Sequence, residues 1–378
     1  MTPTTLSVVV KNNSDASQLY AYVTGRAVQG IFFLSADGVT PYFPSSPSST
    51  LQPLARDCAV AIGGPGRSRT LTVPRLAGAR VWFSLESPLT FLLNPGPAVV
   101  EPSATNPADP NYGIRWAFAE FTLNDVELYV NVSYVDFFSV PVSLRLENGA
   151  GKVTNVEGMP AGALDAICGK LRAQAGVDGA GWDRLVVAQA GGGNLRALSP
   201  NSGRVMFQGL FDGYYRGYVD AVWNKYQSMD LVVNMQFADW GNAVGRVDAS
   251  GQVLTFSGGG GSFGKPSEAD IFSCDSGPFA HGAGVSDKQL NVGARLAAAL
   301  NRSTLLDAVA HPEGEDVSMY YKEAVTNHYT RICHEVSVGG RGYAFPYDDV
   351  GRTGGTDQSG FLNDGDPRVL TMGVGGPL

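Results

Sequence analysis

Short apolar runs separated by turn residues dominate the first 155 residues of the chain. The runs are rich in β-branched and aromatic side chains, with Gly, Pro and Ser between them, and this pattern predicts β-strands. They occupy residues 6–11, 19–24, 30–34, 69–73 and 78–84. This part of the chain therefore predicts a domain built from sheets.

Helical spacing of apolar side chains begins after residue 155. Apolar residues recur three and four positions apart in four segments, which predicts four helices. These segments are residues 160–174, 213–226, 287–300 and 317–334. Strand-like runs also occur, at residues 205–208, 231–236, 253–256 and 343–347.

The order of these elements predicts a β-rich α+β fold. Residues 1–155 are expected to form a β domain, which C-terminal strands within residues 336–378 complete. Residues 156–335 are expected to form a mixed α/β segment packed against it.

The chain is acidic and sparsely charged. Its formal net charge is −8, and only 16% of its residues are charged. An acidic surface repels phosphate backbones and anionic membranes, whereas a neutral polysaccharide is indifferent to net charge. No run approaches the ~20 apolar residues that a membrane helix needs. These features exclude nucleic acid and membranes as expected partners, and a surface of Ser, Thr, Asn and Gly is typical of secreted, extracellular proteins.

Cysteine chemistry stays open at this point. The four cysteines, Cys58, Cys168, Cys274 and Cys333, fit two disulfides in a secreted protein, and they fit four reduced thiols equally well. No CxxC or HExxH spacing is present, so a metal site is not expected. Three glycosylation sequons, which begin at Asn12, Asn131 and Asn301, agree with secretion.

Residues 116–138 predict a β-hairpin with one polar face. In the first strand, alternation places Glu120, Thr122 and Asn124 together on the side opposite to the apolar residues. A turn near residues 125–128 pairs Asn124 with Tyr129, Thr122 with Asn131 and Glu120 with Ser133. The predicted face carries a carboxylate, hydroxyls, amides and an aromatic ring, which suit a sugar.

Asp136 supplies a second carboxylate three residues beyond Ser133, about 10 Å along an extended strand. Inverting glycosidases hold their two carboxyl groups ~6.5–9.5 Å apart, and retaining enzymes ~5–5.5 Å apart, so the spacing favours inversion. Strict alternation points Asp136 away from Ser133. A bulge, or the end of the strand near Val135, must therefore turn it toward Glu120. The alternative is that both acids are ordinary solvated charges on a sheet.

Four strings, FAEFTLND, YVNVSYVDFFSVPV, DIFSCDSGPFA and YAFPYDDVG, resemble glycoside hydrolase family 64, the laminaripentaose-producing β-1,3-glucanases. The interval of sixteen residues between Glu120 and Asp136 agrees with the family's catalytic pair. The resemblance implies a thaumatin-like β-sandwich or barrel domain, a mixed α/β domain and a wide groove between them. It also implies endo-acting, inverting hydrolysis of β-1,3-glucan to short oligosaccharides such as laminaripentaose, without a metal or organic cofactor.

The resemblance also assigns roles to individual residues. Glu120 corresponds to the general acid and Asp136 to the general base. The residues implied to bind sugar are Thr122, Asn124, Tyr129, Ser133, Asp348 and Asp349. Tyr129 stands where the family often carries Trp, and Trp182 and Trp240 are further candidates for stacking on sugar rings.

Two alternatives remain beside an endo-glucanase that acts as a monomer. A non-catalytic thaumatin-like protein for glucan binding or defence would use the same acidic cleft, but it would need neither Glu120 nor Asp136. A glycosidase with another linkage specificity also fits, because linkage is selected by the curvature of a groove.

Overall fold

The computed structural model describes residues 1–378 and is built mainly from β-strands. Fifteen strands precede the first helix. They are β1 (Thr5–Asn12), β2 (Leu19–Ala27), β3 (Gly30–Leu34), β4 (Pro41–Tyr42), β5 (Gln52–Pro53), β6 (Val60–Gly63), β7 (Ser68–Pro74), β8 (Leu76–Leu85), β9 (Leu92–Asn94), β10 (Ala98–Val100), β11 (Trp116–Leu123), β12 (Leu128–Val132), β13 (Phe137–Phe138), β14 (Val142–Asn148) and β15 (Val153–Val156).

Nine strands and six helices make up the rest of the chain. The strands are β16 (Val186–Ala188), β17 (Asn194–Leu198), β18 (Leu231–Asn234), β19 (Asn242–Val247), β20 (Val253–Phe256), β21 (Gly261–Gly264), β22 (Ala310–His311), β23 (Phe361–Asp364) and β24 (Pro367–Val374). The helices are α1 (Ala163–Asp178), α2 (Pro200–Met206), α3 (Arg216–Ser228), α4 (Glu268–Ser273), α5 (Asp287–Arg302) and α6 (His328–Val336). The predicted β-rich class is confirmed.

Two large sheets organise the first half of the chain. A five-stranded sheet has the order β15-β14-β24-β1-β7, and an eight-stranded sheet has the order β23-β12-β11-β8-β2-β3-β4, with β6 paired to β2. Strands such as β1 alternate between buried and more exposed residues, so one side of each such strand faces the core. The C-terminal β24 pairs parallel with β1, which brings both ends of the chain into one sheet.

The second half of the chain contains a five-stranded sheet with the order β21-β20-β19-β18-β22, and α3 and α5 contact it. A small sheet, β13-β17-β16, connects the segment after the hairpin to this half. Buried side chains from both halves form a single hydrophobic cluster of 90 residues. No helix has the length and apolar character required to cross a bilayer.

The predicted strand at residues 205–208 is wrong, because this stretch covers the end of α2 and the turn after it. The hydroxyl of Ser199 accepts a hydrogen bond from the backbone N–H of Ser202, and Pro200 occupies the first turn. A capping side chain followed by proline is a strong helix start. It outweighs the β-branched composition of the short run that follows.

The predicted helix over residues 317–334 is confirmed only for residues 328–334, which lie in α6, and the predicted strand over residues 343–347 is wrong. The backbone at Tyr321 is left-handed, with a φ of 58°, which ends any helix there. Helix α6 begins only after Asn327, whose side chain accepts a hydrogen bond from the backbone N–H of Thr330. Residues 343–347 contribute only an isolated bridge, from Tyr343 to Ser133.

All four cysteines are buried free thiols, so the disulfide alternative is wrong and the reduced alternative is confirmed. Burial raises the pKa of Cys58 and Cys168 to about 12. Their thiols are therefore protonated at neutral pH and behave as small apolar groups in the core.

Candidate active site

The β11–β12 hairpin is present, but its register differs by two residues from the predicted one. Glu120 pairs with Asn131, and Thr122 pairs with Tyr129. The turn begins one residue earlier than predicted because Asn124 takes part in it. The side-chain oxygen of Asn124 accepts hydrogen bonds from two backbone N–H groups of the turn, at 2.8 and 2.9 Å. A slip of two residues keeps every side chain on its predicted face.

Arg80 approaches Glu120 from the neighbouring strand β8, where the two residues are direct cross-strand partners. Its Nε and Nη2 atoms both donate to Oε1 of Glu120, at 3.2 and 3.1 Å. The third nitrogen, Nη1, donates to Oε2 of Glu101 at 2.6 Å. The second oxygen of Glu120, Oε2, accepts no hydrogen bond from the protein. One oxygen of Glu120 is thus fixed and the other is free.

An aromatic floor lies beneath this ion pair. The guanidinium carbon of Arg80 lies 4.6 Å from the ring centroid of Phe118 and 5.3 Å from that of Trp82. Both rings are buried. Cation–π contacts of this kind strengthen as water is excluded, so the floor holds the guanidinium in place.

Asp136 lies four residues beyond the end of β12 at Val132, so the strand ends earlier than the predicted position near Val135. Phe137 and Phe138 then pair with β17, and the backbone N–H of Ser199 donates to the carbonyl of Asp136 at 3.0 Å. These contacts anchor Asp136 beside the hairpin, outside the alternation of β12. The strand alternation that would point Asp136 away from Ser133 therefore does not apply to it.

Charges in the site act on one another. The side chain of Asp136 is exposed to solvent, and the protein around it removes only part of its hydration. This desolvation raises its pKa; the positive charge of Arg80 opposes the rise, and the negative charge of Glu120 adds to it. The same three influences act on Glu101, whose pKa is also raised, chiefly by desolvation. The structure therefore brings Glu120 and Glu101 into contact with Arg80, and it places Asp136 within the range of their charges without a direct contact to Arg80.

An open groove with a volume of about 440 Å³ runs along the polar face of the hairpin. We name it the Glu120 groove, and its lining residues are Gly78, Ala79, Arg80, Glu101, Glu120, Phe121, Thr122, Tyr129 and Asn131. The side-chain oxygen of Asn131 is buried there without a hydrogen-bond partner.

Tyr129 connects the groove to a second predicted group. Its ring stacks on Phe361, with centroids 5.2 Å apart, and its hydroxyl lies 3.3 Å from the hydroxyl of Tyr343. Tyr343 in turn lies near Asp349, whose pKa is raised by desolvation against the effect of the Tyr343 hydroxyl. Ser133 forms a bridge with Tyr343. Tyr129, Ser133 and Asp349 therefore lie in one connected region.

Two predicted sugar-binding residues lie elsewhere. The side-chain oxygen of Asn124 is occupied by the turn, at the exposed end of the hairpin. The Asp348 carboxylate is fully buried and bonds Arg302, His334 and the backbone N–H of Ala344. The implied contact between Asp348 and a sugar hydroxyl is therefore corrected, because no oxygen of this carboxylate reaches the surface.

The two candidate tryptophans differ in how much of the ring is exposed to solvent. Trp182 is fully buried and packs against Phe211, so it presents no face to a ligand. Trp240 is partly exposed and packs against Phe237, with ring centroids 4.6 Å apart. Only Trp240 presents surface on which a sugar could stack.

Sequence reasoning missed Arg80, Glu101 and Tyr343. The alternation within residues 78–84 could have placed Arg80 on a polar face, but nothing local shows that β8 lies beside β11. Glu101 lies in a segment that the prolines predict to be a loop. Tyr343 lies in a predicted strand that does not form.

A larger cavity, of about 650 Å³, lies between the chain ends and α1. Asp15 and Asp165 line it, but no aromatic ring does. Nowhere do three or more His, Cys, Asp or Glu side chains converge in a way that could hold a metal ion. The Glu120 groove is thus the cavity that combines carboxylates, an arginine and aromatic side chains.

Comparison with known proteins places these features in a family. The model of the family described as Beta-1,3-glucanase, glycoside hydrolase family 64, matches residues 4–374. Glucan endo-1,3-beta-glucosidases of Cellulosimicrobium cellulans and of Arthrobacter sp. (strain YCWD3) are 30% and 29% identical over 375 residues, which is 97% of this chain. The chain spans 64% of the length of each of these two relatives.

Solved structures are similar over nearly the whole chain. A laminaripentaose-producing beta-1,3-glucanase in complex with laminaritetraose superimposes with a TM-score of 0.85 and 32% identity, and 98% of each chain is covered. A beta-1,3-glucanase domain (GH64) from Clostridium beijerinckii superimposes with a TM-score of 0.75 and 23% identity, with the same coverage of both chains. The second likeness shows the fold alone.

Proposed function

Because the chain belongs to the β-1,3-glucanases of glycoside hydrolase family 64, we propose that it hydrolyses β-1,3-glucan at internal linkages with Glu120 and Asp136 as its catalytic pair. The observation that carries the proposal is the ion pair of Glu120 with Arg80 in the Glu120 groove, with Asp136 near enough for the charges of Arg80 and Glu120 to act on its carboxyl group. The relative solved with laminaritetraose supports the substrate class.

Glu120 is the proposed general acid. Arg80 holds its Oε1 atom, so the free Oε2 atom carries the proton that passes to the leaving glycosidic oxygen. Asp136 is the proposed general base, which takes a proton from the water that attacks the anomeric carbon from the opposite side. A raised pKa makes the ionised Asp136 a stronger proton acceptor. Attack from that side inverts the anomeric configuration, and exchange with solvent restores both carboxyl groups.

The groove offers groups that match a neutral sugar. Thr122 contributes a hydroxyl, and Asn131 is an amide side chain that lines the same groove. The Tyr129 ring offers an apolar face, because sugar rings bind aromatic side chains through their C–H groups. Ser133 and Asp349 extend these contacts toward Tyr343. A glucan chain would therefore lie along the hairpin.

The finer architecture is part of the same proposal. We assign the two large sheets to a thaumatin-like sandwich and the segment 156–335 to the opposite wall of a wide groove. A contact near Asp349 supports this arrangement: Gln236 Nε2, after β18, donates to the carbonyl of Gly351 at 2.9 Å. We further propose a secreted monomer that needs no cofactor and releases products such as laminaripentaose.

Incubation with laminarin or curdlan, followed by NMR of the first products, tests the proposal. We expect short oligosaccharides that appear first as the α-anomer. Products that appear first as the β-anomer would contradict inversion. Curdlan binding without any product would replace the proposed enzyme with a non-catalytic glucan-binding protein.

A further inference from the structure

Neither Arg80 nor Glu101 has a role in the two-carboxylate reaction itself, yet both are in contact with its centre. We propose that Arg80 and Glu101 are positioning residues for the catalytic acid: Arg80 fixes one oxygen of Glu120, and Glu101 holds Arg80 and offsets its positive charge. This inference rests on the proposed function, because it assumes that Glu120 donates a proton.

The geometry of Arg80 supports a positioning role. Its three nitrogen atoms are divided between two carboxylates, two on Glu120 and one on Glu101. Its flat face lies over Phe118 and Trp82, and the indole N–H of Trp82 donates to the hydroxyl of Thr24 at 2.9 Å. A guanidinium confined in this way has little freedom to turn. Both of its contacts with Glu120 go to Oε1, which leaves the direction of Oε2 defined.

The charges explain why Glu101 is needed. An arginine that bonds a carboxyl group stabilises the ionised form, whereas a general acid must keep its proton. Glu101 binds the same guanidinium and presents a negative charge to it at 2.6 Å. The positive charge is then shared between two carboxylates. Glu120 therefore gains orientation from Arg80 without being forced to lose its proton.

The titratable and charged groups around Arg80 come from several elements. Glu101 follows β10, Glu120 belongs to β11, and Asp136 follows β12. Tyr129 of β12 lines the same groove. The negative charges of Glu120 and Asp136 both act to raise the pKa of Glu101, against Arg80, beside a larger effect of desolvation. Two carboxyl groups thus share one arginine while the charge of Asp136 acts on them, and like charges favour the retention of a proton among the three.

Two substitutions move the pH limits of activity in opposite directions. Glu101→Gln removes a negative charge, so Glu120 loses its proton more easily. We expect the alkaline limit of kcat to fall by roughly half to one pH unit. Arg80→Gln removes the positive charge, and the same limit should rise by a similar amount. A packing role alone would lower activity without moving the limits in opposite directions.

Arg80→Lys separates orientation from charge. Lysine keeps the positive charge but cannot donate two fixed hydrogen bonds from a planar group. We expect the pH limit to stay near that of the wild type, while kcat falls on the order of 10- to 100-fold with KM little changed. A matched control is Glu147→Gln in β14, because Glu147 also pairs with an arginine and its side chain is 39% exposed, against 40% for Glu101. This control should leave the pH profile unchanged.

Carboxyl-carbon NMR titration of the protein labelled at glutamate gives a readout that does not need activity. The Glu120 resonance is assigned from its absence in Glu120→Gln. We expect its titration midpoint to fall in Glu101→Gln, and an unchanged midpoint together with an unchanged alkaline limit overturns the inference. If the wild type cleaves no glucan, the proposed function fails first, and the role of Arg80 and Glu101 in acid catalysis fails with it. If Arg80→Gln does not fold, Glu101→Gln still decides the question.

Discussion

Two arginines in this protein bind carboxylates on an aromatic floor, and their surroundings are opposite. The side chains of Arg80 and Glu120 are 28% and 37% exposed, at the Glu120 groove. Those of Arg302 and Asp348 are 1% and 0% exposed, between the rings of Tyr320 and Phe345. An arginine–carboxylate pair on an aromatic floor thus occurs once at a surface groove and once in the core.

The difference lies in how completely the carboxylate is bonded. Asp348 accepts from Arg302 on one oxygen, and from His334 and the backbone N–H of Ala344 on the other, at 2.9–3.2 Å. Glu120 accepts only on Oε1. A buried charge requires every lone pair to be bonded, whereas a carboxyl group that exchanges a proton with substrate requires one oxygen to be free. The free oxygen therefore distinguishes a working carboxylate from a structural one.

The largest expected effect tests the surface pair. Glu120→Gln and Asp136→Asn should each lower kcat on the order of 10²–10⁴-fold, because each removes one proton transfer. Binding of curdlan should stay close to that of the wild type, since the shape of the groove is kept. Reducing-end release and a curdlan pull-down measure the two quantities. Near-normal turnover in either variant would show that the residue has been given the wrong role.

The buried pair should respond in stability instead. Asp348→Asn leaves the charge of Arg302 in the core without its partner, so we expect the free energy of unfolding to fall by about 3–5 kcal/mol. Asp230→Asn is the control, because Asp230 forms an exposed ion pair with Arg246 at 2.7 Å. It should cost less than about 1 kcal/mol. Urea unfolding measures both, and equal small losses would remove the distinction between the two pairs.

Local pattern was sufficient for much of the fold and for the face of the hairpin. Strand alternation and helical spacing predicted the β-rich class, and an error of two residues in the register did not change which side chains share a face. Glu120, Thr122 and Tyr129 therefore line the groove as expected. The register itself depended on the side chain of Asn124, which bonds the turn.

The local sequence pattern could not predict contacts between distant segments of the chain. The approach of Arg80 to Glu120 depends on the pairing of β8 with β11, and the position of Glu101 depends on a long loop. Asp348 and Asp349 are adjacent in sequence, and alternation cannot apply to them because no strand forms there. Asp348 is the buried one of the two because it pairs with Arg302 in the core, and this pairing depends on how distant segments pack.

A smaller effect tests the aromatic contact in the groove. Tyr129→Ala should raise KM for laminarin about three- to tenfold, with kcat little changed, because one aromatic contact is worth ~0.5–1.5 kcal/mol. Tyr129→Phe keeps the ring that stacks on Phe361 and loses only the hydroxyl bonded to Tyr343, so it is the matched control. A phenylalanine variant as impaired as the alanine variant would assign the effect to the hydroxyl.

The smallest expected effect is a change in the free energy of unfolding, and its sign is opposite to that expected for Asp348→Asn. Because the folded protein raises the pKa of Asp136, the folded state binds more protons than the unfolded state above about pH 4, the ordinary value of aspartate. Wild-type stability therefore falls as pH rises from about 4 through the raised pKa. An asparagine side chain does not titrate, so the Asp136→Asn variant should be slightly more stable than the wild type at neutral pH, by less than about 0.5 kcal/mol because solvent at the exposed side chain screens the effect.

The control for this last prediction is Asp37, an aspartate whose pKa is lowered in the folded protein. Hydrogen bonds from Thr40 and Val39 lower the pKa of Asp37 to about 2. Asp37→Asn should lose stability at neutral pH, and that loss should disappear only as the pH falls through about 2. Urea midpoints of both variants between pH 4 and 7 compare the two. Stabilisation by Asp136→Asn together with its loss of activity would show that the folded protein gives up stability to keep this carboxylate at the groove, whereas a destabilised Asp136→Asn would class it with Asp348.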